Sequence, residues 1–261
     1  MILRIEHLVK RFGGLVAVDD LELNVYKGKI NALIGPNGSG KTTTLNMISG
    51  ALVPTEGKIL YEGSDITALP EYEVARMGIR RTFQNIKLCS SMTALENVML
   101  GGQGQDTSIV SFIFQYKKAK RYEAELRDRA EAMLEYIGLQ ELRNREVKNL
   151  PYGQQKKLEI ARAIMTEPRL LLLDEPATGL NPNERKELVD MILRLCADGK
   201  TILLIEHNMD VVMSISQWIT VLNFGHKIAE GTAADIQNDP NVVSAYLGAR
   251  YKKVQTMEGN R

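Results

Sequence analysis

A nine-residue stretch, Gly35 to Thr43, constrains this 261-residue chain more than any other. It reads Gly-Pro-Asn-Gly-Ser-Gly-Lys-Thr-Thr and fits G-x-x-x-x-G-K-[ST], with Gly35, Gly40, Lys41 and Thr42 in the required places. A chance glycine-rich turn could match as well, so the flanks decide. Ile30 to Ile34 is short, apolar and β-prone, and Leu45 and Ile48 suit a helix that ends near Gly50. Strand, glycine loop and helix N-terminus in that order let backbone N–H groups curl around a polyphosphate, with the helix end adding partial positive charge. The residues expected around the phosphates are Gly35, Pro36, Asn37, Gly38, Ser39, Gly40, Lys41, Thr42 and Thr43. Lys41 is expected to reach the β- and γ-phosphates, and the Thr42 hydroxyl to sit on Mg²⁺.

Composition excludes several classes. Lys+Arg of 33 against Asp+Glu of 32 leaves no excess charge to hold a nucleic-acid backbone. Cys89 and Cys196 are isolated thiols without metal spacing, which suits a reducing compartment. The start, Met1-Ile2-Leu3-Arg4-Ile5-Glu6, is charged too early for a signal peptide, and no apolar run approaches a membrane span. The expectation is a cytoplasmic protein unless something else holds it at a membrane.

Along the chain, Ile2 to Leu8 reads as a strand, and Leu21, Leu23 and Val25 alternate with polar residues as another. Between them Phe12 lies in a basic, glycine-bounded loop. It either stacks on an adenine ring or caps the core of a β-subdomain, and the residue alone does not choose. Gly57 to Tyr61 followed by Glu62-Gly63 gives a third early strand and a turn. Ile79 to Phe83 reads as a further strand that delivers Gln84. Helical spacing then takes over at Met92, Leu95, Val98 and Met99. After an apolar insert, Tyr122, Leu126, Ala130, Met133, Leu134 and Ile137 share one face of a helix ended by Gly138.

Leu150-Pro151-Tyr152-Gly153-Gln154-Gln155 opens the next helix. Leu170 to Leu173 is a strand buried on both faces, and it ends in Asp174-Glu175. Carboxylates at a buried strand end need a partner. Beside a phosphate loop, Asp174 is the expected Mg²⁺-side carboxylate, and Glu175 is placed to polarise a water. Thr201 to Ile205 is a second buried strand, ending in Glu206-His207, where ligands sit in open α/β sheets. His7 and His226 lack that context and read as surface or packing residues.

Taken together these residues resemble the ATPase subunit of an ATP-binding-cassette (ABC) transporter over nearly the whole chain. Phe12 matches the adenine-stacking aromatic, Gln84 the glutamine that links Mg²⁺ to the membrane-facing subdomain, and Leu150 to Gln154 the family signature. Asp174 and Glu175 match the Walker B pair and His207 the switch histidine. Pro151 and Tyr152 stand where the signature usually carries serine and glycine, and Asn181 where the loop after Walker B usually carries aspartate. Pro151 has neither hydroxyl nor N–H, so donation across an interface falls to Gly153, Gln154 and the helix end behind them. Leu-Pro-Tyr-Gly-Gln-Gln, Gly179-Leu180-Asn181-Pro182, the insert around Gly101 to Arg121, and the ending Asn238-Asp239-Pro240 to Gly248 resemble one subgroup, the ATPases of branched-chain amino-acid importers.

The resemblance implies an α/β fold with a P-loop NTPase (RecA-like) core, an antiparallel β-subdomain and an inserted helical subdomain. Residues 1–249 would form one ATPase domain, with core and β-subdomain in 1–84 and 157–249, the helical subdomain in 85–156, and a C-terminal tail in 250–261. It further implies that ATP and Mg²⁺ are held in a head-to-tail sandwich with a second ABC ATPase subunit. Thr42, Gln84 and Asp174 would hold the metal, and Lys41, Gln84, Glu175 and His207 would act in hydrolysis. Phe12, the phosphate loop, Tyr152, Gly153 and Gln154 would bind nucleotide. Integral permease subunits, and an extracytoplasmic solute-binding protein indirectly, would be the partners, at the cytoplasmic face of the inner membrane. Leu88, Met92, Leu95 and Met99 are the candidates for gripping the permease, with Leu95 expected to pack inward. An ATPase for lipid or another small solute, a soluble ABC ATPase acting on nucleic acid or ribosomes, and a catalytically silent cassette are the alternatives. The single cassette, the absence of sustained heptads and the neutral balance disfavour the soluble ATPase; Glu175 and His207 together argue against silence.

Replacing Lys41 with Ala is expected to remove the one cation from a loop of neutral amides. ATP turnover with the membrane partner should fall by roughly 10²–10³ or more, as for loss of a preorganised charge-stabilising group; turnover near wild type would refute the assignment.

Overall fold

Alternating burial in the first 25 residues builds a hairpin: β1 (Leu3–Phe12) pairs antiparallel with β2 (Leu15–Val25) across Gly13-Gly14. Leu3, Ile5, Leu8, Leu21, Leu23 and Val25 turn inward, and Arg4 and Glu22 face solvent. The chain then enters a second sheet through β3 (Ile30–Ile34) and returns as β4 (Glu56–Tyr61) on the other side of β1. The Glu62-Gly63 turn leads to the short β5 (Ser64–Asp65), so the first sheet runs β2-β1-β4-β5. The structure is a computed structural model that describes residues 1–82, 86–102 and 116–246.

The second sheet holds β6 (Ile79–Arg81), β7 (Leu170–Asp174), β8 (Thr201–Ile205), β9 (Trp218–Asn223) and β10 (His226–Gly231) in the order β10-β9-β3-β8-β7-β6. Its pairings are parallel except at the β9–β10 edge hairpin. Every residue of β3, β7 and β8 is buried, as in a parallel sheet covered on both faces. The two faces can be read from the strand period of two. Leu171, Leu173, Ile202 and Leu204 enter one core; Leu170, Leu172, Leu203 and Ile205 enter another.

The first core is shared with α3 (Ala94–Gly102), α4 (Tyr116–Tyr136), α5 (Tyr152–Ile164) and α6 (Pro182–Ala197). The second packs the sheet on the β-hairpin layer and on α1 (Lys41–Ile48), with Val74 of α2 (Glu71–Arg76). Helix α7 (Met209–Ile215) and α8 (Ala233–Gln237) bear on the β9–β10 side, where Val212 and Ile236 meet Ile34 and Val221. Among the described residues no helix is long and apolar enough to cross a membrane.

Four expectations are corrected. Phe12 is the last residue of β1, not a loop residue, because pairing with Leu15 continues to the Gly13-Gly14 turn. Strand β6 stops at Arg81, and Phe83 and Gln84 lie outside the described residues. Tyr122 is exposed rather than on the buried face of α4, since its hydroxyl donates to the Gly102 carbonyl at 3.0 Å. Helix α5 starts at Tyr152, with Pro151 as its extended N-cap.

Leu172 is fully buried in the central sheet and Leu15 is 65% exposed on the hairpin. Leu172→Ala should destabilise by about 2–5 kcal/mol through lost burial and a residual cavity, and Leu15→Ala by no more than about 0.5 kcal/mol. Urea unfolding of the two variants measures the contrast.

Candidate functional site

Three neighbouring parallel strands, β3, β8 and β7, end side by side, and each runs directly into a polar segment. Ligands bind outside the carboxyl ends of such strands. Strand β3 gives way to Gly35, whose φ of +150° and crowded setting exclude other residues: a Cβ there would stand 2.1 Å from the Leu222 carbonyl oxygen. The loop that follows exposes Asn37 and Gly38, half-buries Pro36 and Gly40, and buries Ser39. Its back is braced where the Gly225 N–H donates to the Ser39 carbonyl at 3.2 Å.

Lys41 opens α1 and is only 5% exposed. Its ammonium donates to the carbonyls of Gly35 (2.8 Å) and Pro36 (2.9 Å) and lies 3.4 Å from Ser39 Oγ. Burial pulls the Lys41 pKa below its ordinary value, and the charges of Glu175 and Asp174 oppose that fall. The lysine thus spans the loop it belongs to, with both carboxylates close enough to act on it. Thr42 is exposed and Thr43 half-buried at the mouth of the loop.

Asp174 ends β7 and is 3% exposed. Arg81, from the end of β6, donates to Asp174 Oδ2 at 2.8 Å and to Asn46 Oδ1 at 2.6 Å. Glu175 follows in a left-handed backbone (φ +48°), a costly conformation for a side-chain-bearing residue and one that clusters at functional sites. Its Oε1 is 2.5 Å from His207 Nε2, and Thr178 Oγ1 donates to Oε2 at 3.4 Å. The carboxylate is mostly buried while the imidazole is 39% exposed, so the pair faces outward from the strand ends. A carboxylate held this way can take a proton from water, and the imidazole can fix its orientation.

Two residues that matter here carry no motif. Arg81 is one. The other is Glu206, 2% exposed, whose carboxylate accepts from the N–H groups of Ala177 (2.7 Å), His207 (3.0 Å) and Asn208 (3.3 Å). It ties the segment after β7 to the segment after β8. The rule that singled out Asp174, a carboxylate closing a buried strand, applies equally to Glu206 and is the signal that could have found it.

The remaining predicted residues divide. Phe12 is 47% exposed with the Lys10 ammonium 5.2 Å from its ring centroid, so it does not cap the β-layer core. Tyr152 and Gly153 occupy the first turn of α5. The Gln154 N–H closes on the Pro151 carbonyl at 3.0 Å in the first turn of α5. Gln154 Oε1 is buried without a hydrogen-bond partner, an acceptor that a bound hydroxyl or water would satisfy. Asn181 caps α6, accepting from the N–H groups of Asn183 and Glu184, so it supplies the cap an aspartate would. Gln84 lies outside the described residues. His7 pairs with Asp20 and His226 with Asp19 on exposed surface.

Among the described residues no group of three or more His, Cys, Asp or Glu could hold a metal alone. The Thr42 hydroxyl and Asp174 carboxylate are hard oxygen donors. They suit Mg²⁺ that completes its shell with phosphate and water, so the residues present fit that ion.

A family model described as ABC transporter matches residues 18–178, and one described as branched-chain amino acid ATP-binding cassette transporter matches residues 226–252. The high-affinity branched-chain amino acid transport ATP-binding protein LivG of Escherichia coli (strain K12) is 46% identical over 249 residues, 95% of this chain and 98% of its own. A solved ATP-binding cassette of an ABC transporter in its ADP conformation superposes with a TM-score of 0.83 at 36% identity, covering 95% of this chain and 98% of its own. A dimeric cassette in a post-hydrolysis state with ADP and Pi gives 0.73 at 27% identity, covering 88% and 98%.

The half-exposed Phe12 ring is available to a base. Phe12→Tyr should bind ATP nearly as wild type, and Phe12→Ala should lose roughly 1–3 kcal/mol, the range for base–aromatic stacking. Equal affinities in equilibrium titrations would leave Phe12 with no part in binding.

Proposed function

We propose, from the premise that this chain belongs to the ABC transporter family, that it is the subunit that binds and hydrolyses ATP to drive uptake of branched-chain amino acids through membrane-embedded partners. The observation that carries the hydrolytic reading is the Glu175–His207 pair standing at the strand ends beside the Lys41 loop. The amino-acid reading is supported by the 46% identity to LivG and by the match of residues 226–252.

In this reading Phe12 stacks on adenine, and the amides of Gly38 to Thr43 with the Lys41 ammonium take the phosphates. Lys41 exchanges its two carbonyl partners for β- and γ-oxygens. Glu175 accepts a proton from the attacking water while His207 keeps the carboxylate oriented. Thr42, Asp174 and Gln84 would hold Mg²⁺, which supplies charge neutralisation between the β- and γ-phosphates. Two subunits close head to tail, so that Tyr152 and Gly153 at the positive end of α5 meet the nucleotide on the other subunit's loop. The domain division follows: one ATPase domain over 1–249 with a helical subdomain at 85–156, and a tail at 250–261.

Of the four residues offered for gripping a permease, Leu95 packs inward as expected and Met99 is buried with it, while Leu88 and Met92 are half-buried. We assign the grip to a cavity of about 240 Å³ between β6, α3 and α5, lined by Arg80, Arg81, Leu100, Glu159, Arg162 and Thr166. The segment after Gln84 is tied beside it, since Arg162 donates to the Lys87 carbonyl at 2.6 Å. The subunit then sits peripherally on the cytoplasmic face of the membrane.

Glu175→Gln keeps the shape and loses the basicity. Turnover should fall by roughly 10²–10⁴, the span of general-base catalysis. ATP should persist and hold a dimer on size-exclusion chromatography, because a ligand shared by two chains stabilises the pair. Unchanged association with and without ATP would sink both the role and the sandwich.

A further inference from the structure

Tyr152 stands at the first position of α5, yet its ring turns back onto its own chain. A Cβ at Gly179 would meet Tyr152 Cε1 at 3.1 Å and Cδ1 and Cζ at 3.8 Å, so the ring is seated over Gly179. Gly179 itself takes φ +82°, and any side chain there would be both strained and in the way. The Lys156 ammonium, one turn along α5, lies 5.7 Å from the ring centroid and steadies it from the helix side.

The neighbouring residue makes a second link between the same segments. At Gly153 a Cβ would stand 2.6 Å from Glu184 Oε1. Glu184 in turn accepts from the Asn181 N–H at 3.0 Å and closes the cap of α6. Arg185 donates to the Leu180 carbonyl at 3.3 Å. Gly179 is thus gripped from both ends. Four residues upstream is Glu175, whose carbonyl accepts from the Thr178 N–H at 3.2 Å and whose carboxylate accepts from the Thr178 hydroxyl. Ala177 between them is pinned to Glu206.

We infer that Tyr152 is a positioning residue that joins the segment facing the other subunit's nucleotide to the turn carrying this subunit's own Glu175. The inference rests on the sandwich reading above. Closure of a second subunit on the N-terminus of α5 shifts Tyr152; the ring bears on Gly179; and the 175–181 turn, which has little freedom of its own, passes the shift to Glu175. Each site of the pair is thereby made sensitive to occupancy of the other. The hydroxyl has no part in this, and the ring does.

The test uses the assembled transporter and compares Tyr152→Ala, Tyr152→Phe, Gly179→Ala and the Tyr152→Ala/Gly179→Ala double variant. Tyr152→Ala should lower kcat about tenfold, a contact coupling in the middle of the measured range, with a Hill coefficient falling toward one. Tyr152→Phe should restore both. Gly179→Ala should cost less in the Tyr152→Ala background than alone, since backbone strain cancels in the cycle and only the ring contact remains. Wild-type kcat and cooperativity in Tyr152→Ala, or additive effects in the cycle, would overturn the inference. A raised KM with unchanged kcat would also overturn it and make Tyr152 a simple nucleotide contact. ATP-dependent dimerisation of Glu175→Gln separates the two failures. If that dimer forms, a negative result sinks only the role of Tyr152; if it does not, the sandwich reading fails first.

Discussion

The parallel hydrogen-bond ladder that joins β3 to β8 and β8 to β7 is the constraint on which the site depends. It sets three strand ends in one row, and strands about 4.8 Å apart leave their exit residues within reach of one small ligand. The phosphate loop, Asp174-Glu175 and Glu206-His207 are consequences of that row. None of them is near another in sequence. The ladder holds because both faces of the sheet are covered by apolar layers, the α3–α6 core on one side and the β-hairpin core on the other. The sheet is therefore a rigid base for groups that must keep their geometry as charge develops.

Buried charge is the second requirement, and it is met by pairing. Lys41 is enclosed by its own loop carbonyls, Asp174 is bound by Arg81, and Glu206 by three backbone amides. Each arrangement satisfies a group that would be expensive to bury alone. They differ in what they permit. Glu206 has no spare partner and acts as a tie. Lys41 is held only by acceptors that a phosphate can replace, and so it is poised for a ligand.

The same logic explains why the signature segment tolerates an unusual sequence. Pro151 serves as an extended N-cap, which costs nothing because its missing N–H would lie outside the helix ladder. Tyr152 finds its seat in the space that a glycine leaves at position 179. A bulky residue at the helix start thus becomes a contact between two loops of one chain.

Much of the site was legible in the residue order because its parts are local. A glycine loop between a β-prone run and a helix, and carboxylates closing apolar runs of four or five, state their chemistry within a few residues. The apolar runs likewise marked β7 and β8 as buried strands, and the helix period gave the buried side of α4 beyond its first turns. What the order of residues left open were matters of long-range contact. Whether Phe12 capped a core or stood half exposed depended on how far the β1–β2 pairing ran, and cross-strand pairing is not written in either strand alone. Arg81 emerged as the partner of Asp174 only when a strand 93 residues away in sequence was laid beside it, and Glu206 as the acceptor for the Ala177 N–H only when a segment 29 residues away was brought to it. Whether Leu88 faced a partner or the core was open in the sequence, and packing leaves it half-buried against the α3–α5 core. Local sequence determined which chemistry the chain carries, since propensity and motif act over a few residues; tertiary packing alone decided which charges neutralise one another, which ring rests on which glycine and which apolar groups stay at the surface, since those energies exist only between segments brought together by the fold.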